Sequence, residues 1–306
     1  MRFSINSSSS KSRSAFSMLE LIFVIVILAI LGKFGVEFLA QAYNTFIFSS
    51  INSKLQSNSA TAVEFISTRL QHRIKESVIA RKTNGDFELL SSAGGTDYTI
   101  LEWIGSDIDG FRGNSDAVGN PPNWSGVVDF NLGDANTIVS PMTDTNRTNI
   151  LINTLSNGNS GINDAALFFI GSNIFRDGFG WNGVAITDQN QTMHPITTTA
   201  NLNEFAPAVG TGPFSDVYEY YKLAWTAYAV VYEAGTNNKG ELWLYYDYQP
   251  WEGENYKDDG KAELIMQNVD TFRYVSIGSL IKIQVCVKSD LVANEEYSIC
   301  KEKTIY

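Results

Sequence analysis

Between Leu21 and Leu31 eleven apolar residues follow one another without a break, with Phe16 to Leu19 before them and Gly32, Phe34, Gly35 and Val36 after. Such a run is long enough for one helix to cross a bilayer. Beyond it the pattern changes but does not stop. Apolar residues recur at Phe48, Ile51, Leu55, Ala62, Ile66, Leu70, Ile74 and Val78, mostly three or four apart, and Lys54, Glu64, Arg69, Arg73, Lys75 and Glu76 fall between them. This spacing predicts that the helix continues with one apolar stripe and a wet opposite face. Arg81 and Lys82 suit a helix C-terminus and Asn84-Gly85 a left-handed cap, so the helix is expected to fill a stalk over 16–85, stopping near 82. Gly32, Gly35 and Ser49-Ser50 are the expected places for it to bend.

The remainder, 86–306, reads as an exported globular head. Within it 105–215 is rich in Gly, Asn, Asp, Ser and Thr and reads as a loop-rich insertion, with short apolar runs at 98–104, 126–130 and 165–170 around and inside it. From 216 onward the pattern tightens. Segments 222–233 (KLAWTAYAVVYE), 241–248, 262–266 leading into 269–275, 280–288 and 296–305 are rich in aromatic and β-branched residues, with turn residues between them. They predict an antiparallel meander. The fold class expected is therefore α+β, a long N-terminal membrane-spanning helix carrying a mainly antiparallel β-sheet head with long loops.

Charge sharpens this division. Residues 1–15 carry Arg2, Lys11 and Arg13 and no acid, which favours a cytoplasmic leader with the C-terminal side exported. Residues 86–306 hold 12 Lys/Arg against 29 Asp/Glu. An acidic head of this kind repels phosphate backbones, so no nucleic-acid partner is expected.

Glu20 does not fit a plain membrane anchor, because an unpaired carboxylate within hydrocarbon costs about 3 kcal/mol even on lenient scales. A cut between Ala15 and Phe16 would place a positive amino group four residues before it. A short basic leader, a small residue, Phe16, Glu20 at the fifth position after the cut and a long apolar run together resemble the N-terminus of type IV pilins and type II secretion pseudopilins. Ala15 stands where the family usually carries Gly. The resemblance implies cleavage by a prepilin peptidase, N-methylation of Phe16, and pairing of Glu20 with the amino terminus of a neighbouring subunit during filament assembly. The order of the last strands, with the segment 264–274 (LIMQNVDTFRY) before the final hairpin, is similar to J-type minor pseudopilins and W-type minor pilins.

These resemblances imply a non-catalytic minor pseudopilin of a type II secretion system, placed at the pseudopilus tip. Its partners would be other pilin or pseudopilin subunits, the prepilin peptidase and the inner-membrane assembly platform. It would sit in the inner membrane with a single span, N-terminus cytoplasmic and head periplasmic, and also in the assembled filament. A minor pilin of a type IV pilus, serving adhesion, motility or DNA uptake, is the alternative within the family. A membrane-tethered periplasmic enzyme or sugar-binding domain is the alternative from another class.

Three further groups bear on chemistry. Asp107, Asp109 and Asp116 lie among Gly110, Gly113 and Asn114, and supply the hard oxygen ligands of a candidate Ca²⁺ loop; acidic Gly/Asn loops are more often solvated turns. Glu252, Glu254, Asp258 and Asp259 form a second acidic segment, read as a hairpin turn. His72 and His194 are the only histidines, one on the stalk and one in a Thr-rich loop, and neither stands in a catalytic motif. The aromatics Trp225, Tyr228, Tyr232, Trp243, Tyr245, Tyr246, Tyr248 and Trp251 read as core on one strand face, with a carbohydrate or protein platform as the other possibility.

Cys286 and Cys300 are the only cysteines, and an exported pair favours a disulfide. Alternation puts Ile281, Ile283, Val285 and Val287 on one face and Cys286 on the wetter one. A turn centred near Ala293 sets Ile299 against Val287, Glu302 against Gln284 and Cys300 opposite Cys286, close enough to bond.

Overall fold

The computed structural model describes residues 17–113, 121–235, 239–289 and 298–306. Two units make up the chain, Met1–Ser53 and Lys54–Tyr306. In the first, helix α1 (Met18–Leu70) starts at Ser17, whose hydroxyl accepts from the Leu19 backbone N–H. The helix runs unbroken through Gly32, Gly35 and Ser49-Ser50. A Cβ at Gly32 or Gly35 would meet nothing within 4 Å, so neither glycine serves close packing inside the chain. Helix-forming Leu, Ala and Phe neighbours carry them at a cost of about 1 kcal/mol each.

In the second unit the last turns of α1 bury Leu55, Ala62, Val63, Ile66 and Leu70, the stripe that the spacing predicts. The helix then ends at Leu70, not near 82. The backbone beyond it is given to a sheet: Ile74 N–H donates to Ile104 O at 2.9 Å and His72 O accepts from Ser106 N–H at 2.9 Å. Ile74 and Val78 are buried as their spacing requires, but in extended conformation. Asn84-Gly85 is a hairpin turn between β1 (Ile79–Lys82) and β2 (Phe87–Leu89), with Gly85 at φ 97°. Asn-Gly between β-forming residues favours such a turn because left-handed backbone matches strand twist. Arg73 braces this junction. Its buried guanidinium donates to Leu70 O at 2.9 Å, Ser279 O at 3.2 Å and Tyr306 O at 3.3 Å.

The larger sheet is antiparallel throughout, with eight strands in the order β13-β12-β11-β10-β9-β3-β1-β2. Here β3 is Tyr98–Gly105, β9 Thr226–Glu233, β10 Gly240–Tyr246, β11 Lys261–Ile277, β12 Leu280–Lys288 and β13 Ser298–Ile305. Leu101 and Trp103 are buried on one face of β3, and Ile100 and Ile104 on the other, so both faces of the central strands are covered. The segments 262–266 and 269–275 form one 17-residue strand, β11, whose register shifts around Asn268, a non-glycine residue at φ 62°. A bulge there keeps both halves paired while bending the strand. Tyr274, on its far half, donates to Ile100 O of β3 at 2.7 Å across the curled sheet.

A second antiparallel sheet occupies much of the stretch read as an insertion, in the order β4-β7-β6-β5-β8. Its strands are β4 (Ile138–Val139), β5 (Ala166–Phe169), β6 (His194–Thr198), β7 (Glu204–Pro207) and β8 (Tyr221–Ala224). Helix α3 (Thr145–Leu155), capped by Asp144, buries Ile152 in its core with Leu167, Phe169, Ile196, Phe205 and Tyr221. The run 222–233 is thus two strands in two sheets, not one. The chain changes sheet at Trp225-Thr226, where a buried polar cluster holds it. Asp247 N–H donates to Thr226 Oγ1 at 2.8 Å, Ser160 Oγ donates to Asp247 Oδ1 at 2.6 Å, and Gln249 Nε2 donates to Trp225 O at 2.7 Å. Lys261 Nζ lies 2.6 Å from Asp247 Oδ2, giving that buried carboxylate its counter-charge. Of the runs anticipated in the insertion, 126–130 contributes only an isolated bridge from Val127 to Tyr220.

Candidate functional site

The first half of α1 is the region whose chemistry its own fold leaves unused. Its most apolar 18-residue window has mean hydropathy 2.5 and none of it is buried, and among the described residues this is the one helix long and apolar enough to cross a membrane. Side chains all round the helix are bare: Leu19, Leu21, Ile22, Phe23, Ile25 and Leu31, which point in every direction about its axis, are each more than half exposed. A globular protein in water buries a helix of this kind, so the surface calls for lipid, another helix, or both.

Glu20 sits in the first turn of this helix. Its Oε2 accepts from Ser17 N–H at 3.4 Å, while Ser17 Oγ accepts from Leu19 N–H at 3.3 Å. Ser17 and Glu20 thus cap each other across the first turn, the hydroxyl on the second helical amide and the carboxylate on the Ser17 amide, with the carboxylate also favoured by the helix dipole. Sequence reasoning assigned Glu20 only to a partner's amino group. The Ser-x-x-Glu spacing before an apolar run was the signal that a local role exists too. Ala15 and Phe16, the expected cleavage position, lie outside the described residues.

Of the candidate Ca²⁺ ligands, Asp107 and Asp109 are each engaged separately. Asp107 is buried and caps α2 (Ile108–Arg112): Oδ1 accepts from Gly110 N–H at 3.1 Å and Oδ2 from Trp124 Nε1–H at 3.0 Å. Burial raises its pKa to about 6 against the pull of those two hydrogen bonds. Asp109 is exposed and faces Arg112 at 4.0 Å, and Asp116 lies outside the described residues. Among the described residues no group of three His, Cys, Asp or Glu side chains has metal-holding geometry. The second acidic segment is turn structure between β10 and β11. Glu254 accepts from Gln249 N–H at 2.7 Å, and Asn255 Oδ1 accepts from Lys257 and Asp258 N–H.

Both histidines move from their expected settings. His72 lies just beyond the end of α1, and His194 opens β6, fully buried, with Nδ1 3.2 Å from Gln189 Oε1. Burial lowers the His194 pKa to about 4, so the ring is neutral near neutral pH. The aromatic group divides as well: Tyr248 and Trp251 are wholly buried in the core beside Ile100 and Ile104, whereas Trp225, Tyr228 and Tyr246 line a cleft.

Cys286 and Cys300 form a disulfide with Cα atoms 3.9 Å apart. The pairs Val287–Ile299, Cys286–Cys300 and Gln284–Glu302 reproduce the register argued from alternation. The turn expected near Ala293 lies outside the described residues. Cys286 is buried and Cys300 exposed, while Lys282 and Gln284 on the same side of β12 stay half-exposed.

The chain matches no protein-family model, no curated protein and no solved structure. Its function is therefore argued from its own residues.

Proposed function

We propose that the chain is a non-catalytic filament subunit of the type IV pilin class, a minor pseudopilin of a type II secretion system seated at the filament tip. One observation carries the reading: a single helix begins with a capped acidic residue, leaves about its first thirty residues bare and apolar, and then buries one stripe against a β-rich head. Such a helix serves two apolar media in turn, lipid before assembly and neighbouring helices after it. The J-like strand order and the large acidic head support a low-copy place in the filament. The partners follow from this reading: other subunits, the prepilin peptidase, the inner-membrane platform and the inner membrane itself.

Glu20 tests it, because its cap and its charge can be separated. Glu20→Gln keeps an oxygen that accepts from Ser17 N–H but removes the charge that would meet a neighbour's amino group. The proposal expects both Glu20→Gln and Glu20→Ala to insert into the membrane normally and to co-purify with sheared filaments at a small fraction of the wild-type level. Normal incorporation of Glu20→Gln would reduce the residue to its local cap and remove the assembly role.

A further inference from the structure

A cleft of about 430 Å³ opens in the head beside the end of α1, bounded by the ends of β3 and α3, by α2, and by β9, β10 and β11. We propose that it binds a short, uncharged oligosaccharide. The inference rests on the head alone and is independent of the filament reading.

Four properties of the cleft point to that ligand. Its size lies in the range of small-molecule sites, large enough for one or two pyranose rings. It also holds polar groups that the fold does not use. Among the described residues, no hydrogen bond or ion pair engages the side chains of Arg69, His72 or the Tyr228 hydroxyl; the Arg69 guanidinium only lies over the Phe65 ring at 3.8 Å. Polar groups left without partners at a concave surface are the means by which sites orient ligands.

The formal charges of the cleft come close to balance, two arginines against Asp109, Glu263 and the buried Asp107 that caps α2, in a head whose acids outnumber its bases by more than two to one. Arg69 and Arg112 face Asp109 and Glu263, with Asp109 4.0 Å from Arg112 and Glu263 accepting from the Tyr246 hydroxyl at 3.1 Å. A ligand of strong single charge gains little there. Hydroxyls, each both donor and acceptor, can meet the guanidinium and the carboxylates at once.

The fourth property is a fixed apolar wall. Tyr228 stacks on Trp103 with ring centroids 5.6 Å apart, and its ring edge lies over Gly105, where a Cβ would come within 2.6 Å of Cε2. The glycine makes room for the ring, and the Trp103 stack holds it. Tyr246 adds aromatic surface, which suits the C–H faces of pyranose rings. A flexible peptide would demand more ordering at such a small site than a rigid sugar does.

The test is a tryptophan-fluorescence titration, with saturation-transfer NMR, of the full chain in detergent micelles. The probes are cellotriose, maltotriose and tri-N-acetylchitotriose, with the blocked tripeptide acetyl-Gly-Ser-Gly-amide as the peptide arm. The expected result is saturable binding of at least one trisaccharide, weakened about tenfold by Arg69→Met and several-fold by Tyr228→Phe. Tyr228→Phe keeps the stacked ring, and its thermal midpoint should match wild type, so a lost hydroxyl is distinguishable from a damaged fold. Saturable binding of none of the three sugars, equal affinity in both variants, or binding of the tripeptide alone would each overturn the proposal.

Discussion

Residues 18–48 and 54–70 belong to one helix yet obey different physics. Every large side chain of the first segment except the half-buried Ile47 is exposed, while the second buries Leu55, Ile66 and Leu70 and exposes Glu64 and Thr68. Helical hydrogen bonding is the same in both, so the contrast lies in what surrounds the helix, and the sequence encodes it as a change from continuous to periodic hydrophobicity. The difference teaches that stability of the head begins at the second segment, and that the first segment is kept for another medium.

The largest expected effect breaks the comparison most directly. Leu70→Ala removes a fully buried side chain and should destabilise the head by about 2–5 kcal/mol, whereas Phe23→Ala, in the exposed segment, should leave its thermal unfolding unchanged. Thermal denaturation of both variants in micelles checks this. An equal loss for the two would mean that the first segment is part of the cooperative unit.

The disulfide comes next. Replacing Cys286 and Cys300 together by Ala should cost about 3 kcal/mol for a loop of this length, read as a lower denaturation midpoint, with membrane insertion unaffected. Its hairpin also holds the helix end, because Arg73 reaches Ser279 O and Tyr306 O and Lys303 lies 2.6 Å from Glu64. Amide exchange in 54–70 should therefore accelerate in that variant more than in 18–48.

A smaller effect comes from Asp107. Its folded pKa is raised to about 6 from the usual 3.8, so the folded state holds the proton more tightly than the unfolded state. Its contribution is complete below about pH 4 and is lost as pH rises through 6. Relative to Asp107→Asn, the wild-type head should lose about 2 kcal/mol of stability between pH 4 and pH 7. Parallel pH profiles for the two proteins would show that the carboxyl titrates normally.

What the sequence disclosed depended on how local the determinants are. The final hairpin was legible down to register, because strict alternation in 281–287 leaves a single pairing that joins Cys286 to Cys300. The end of α1 was not legible: Ile74 and Val78 continue the four-residue spacing, and only the backbone bonds to β3 turn them into extended chain. Asn84-Gly85 carried a hairpin signal as strong as its cap signal, and the neighbouring cations tipped the reading the wrong way. The second sheet was hidden because its strands are two to five residues long and pair across wide gaps in sequence, as β5 does with β8. In 222–233 nothing local marks Trp225 as the change of sheet; the contacts to Asp247 and Gln249 decide it. The cleft was beyond reach for the same reason, since it joins α1, α2, the end of α3 and four strands that only the fold brings together. At the N-terminus, by contrast, the apolar run, Glu20 and the Ser17-x-x-Glu20 cap spacing are all local features, plain in the sequence.

The central claim, that the apolar half of α1 is a filament helix, stands on how the chain is processed. Intact-mass and peptide mass spectrometry of the protein recovered from its native membrane reads this in one experiment. The account predicts a mature chain that begins at Phe16, carries one N-methyl group there, and keeps Glu20 and the whole apolar run. A mature chain beginning beyond Leu31 would contradict it, because the apolar segment would then be a discarded signal and no helix would remain to assemble.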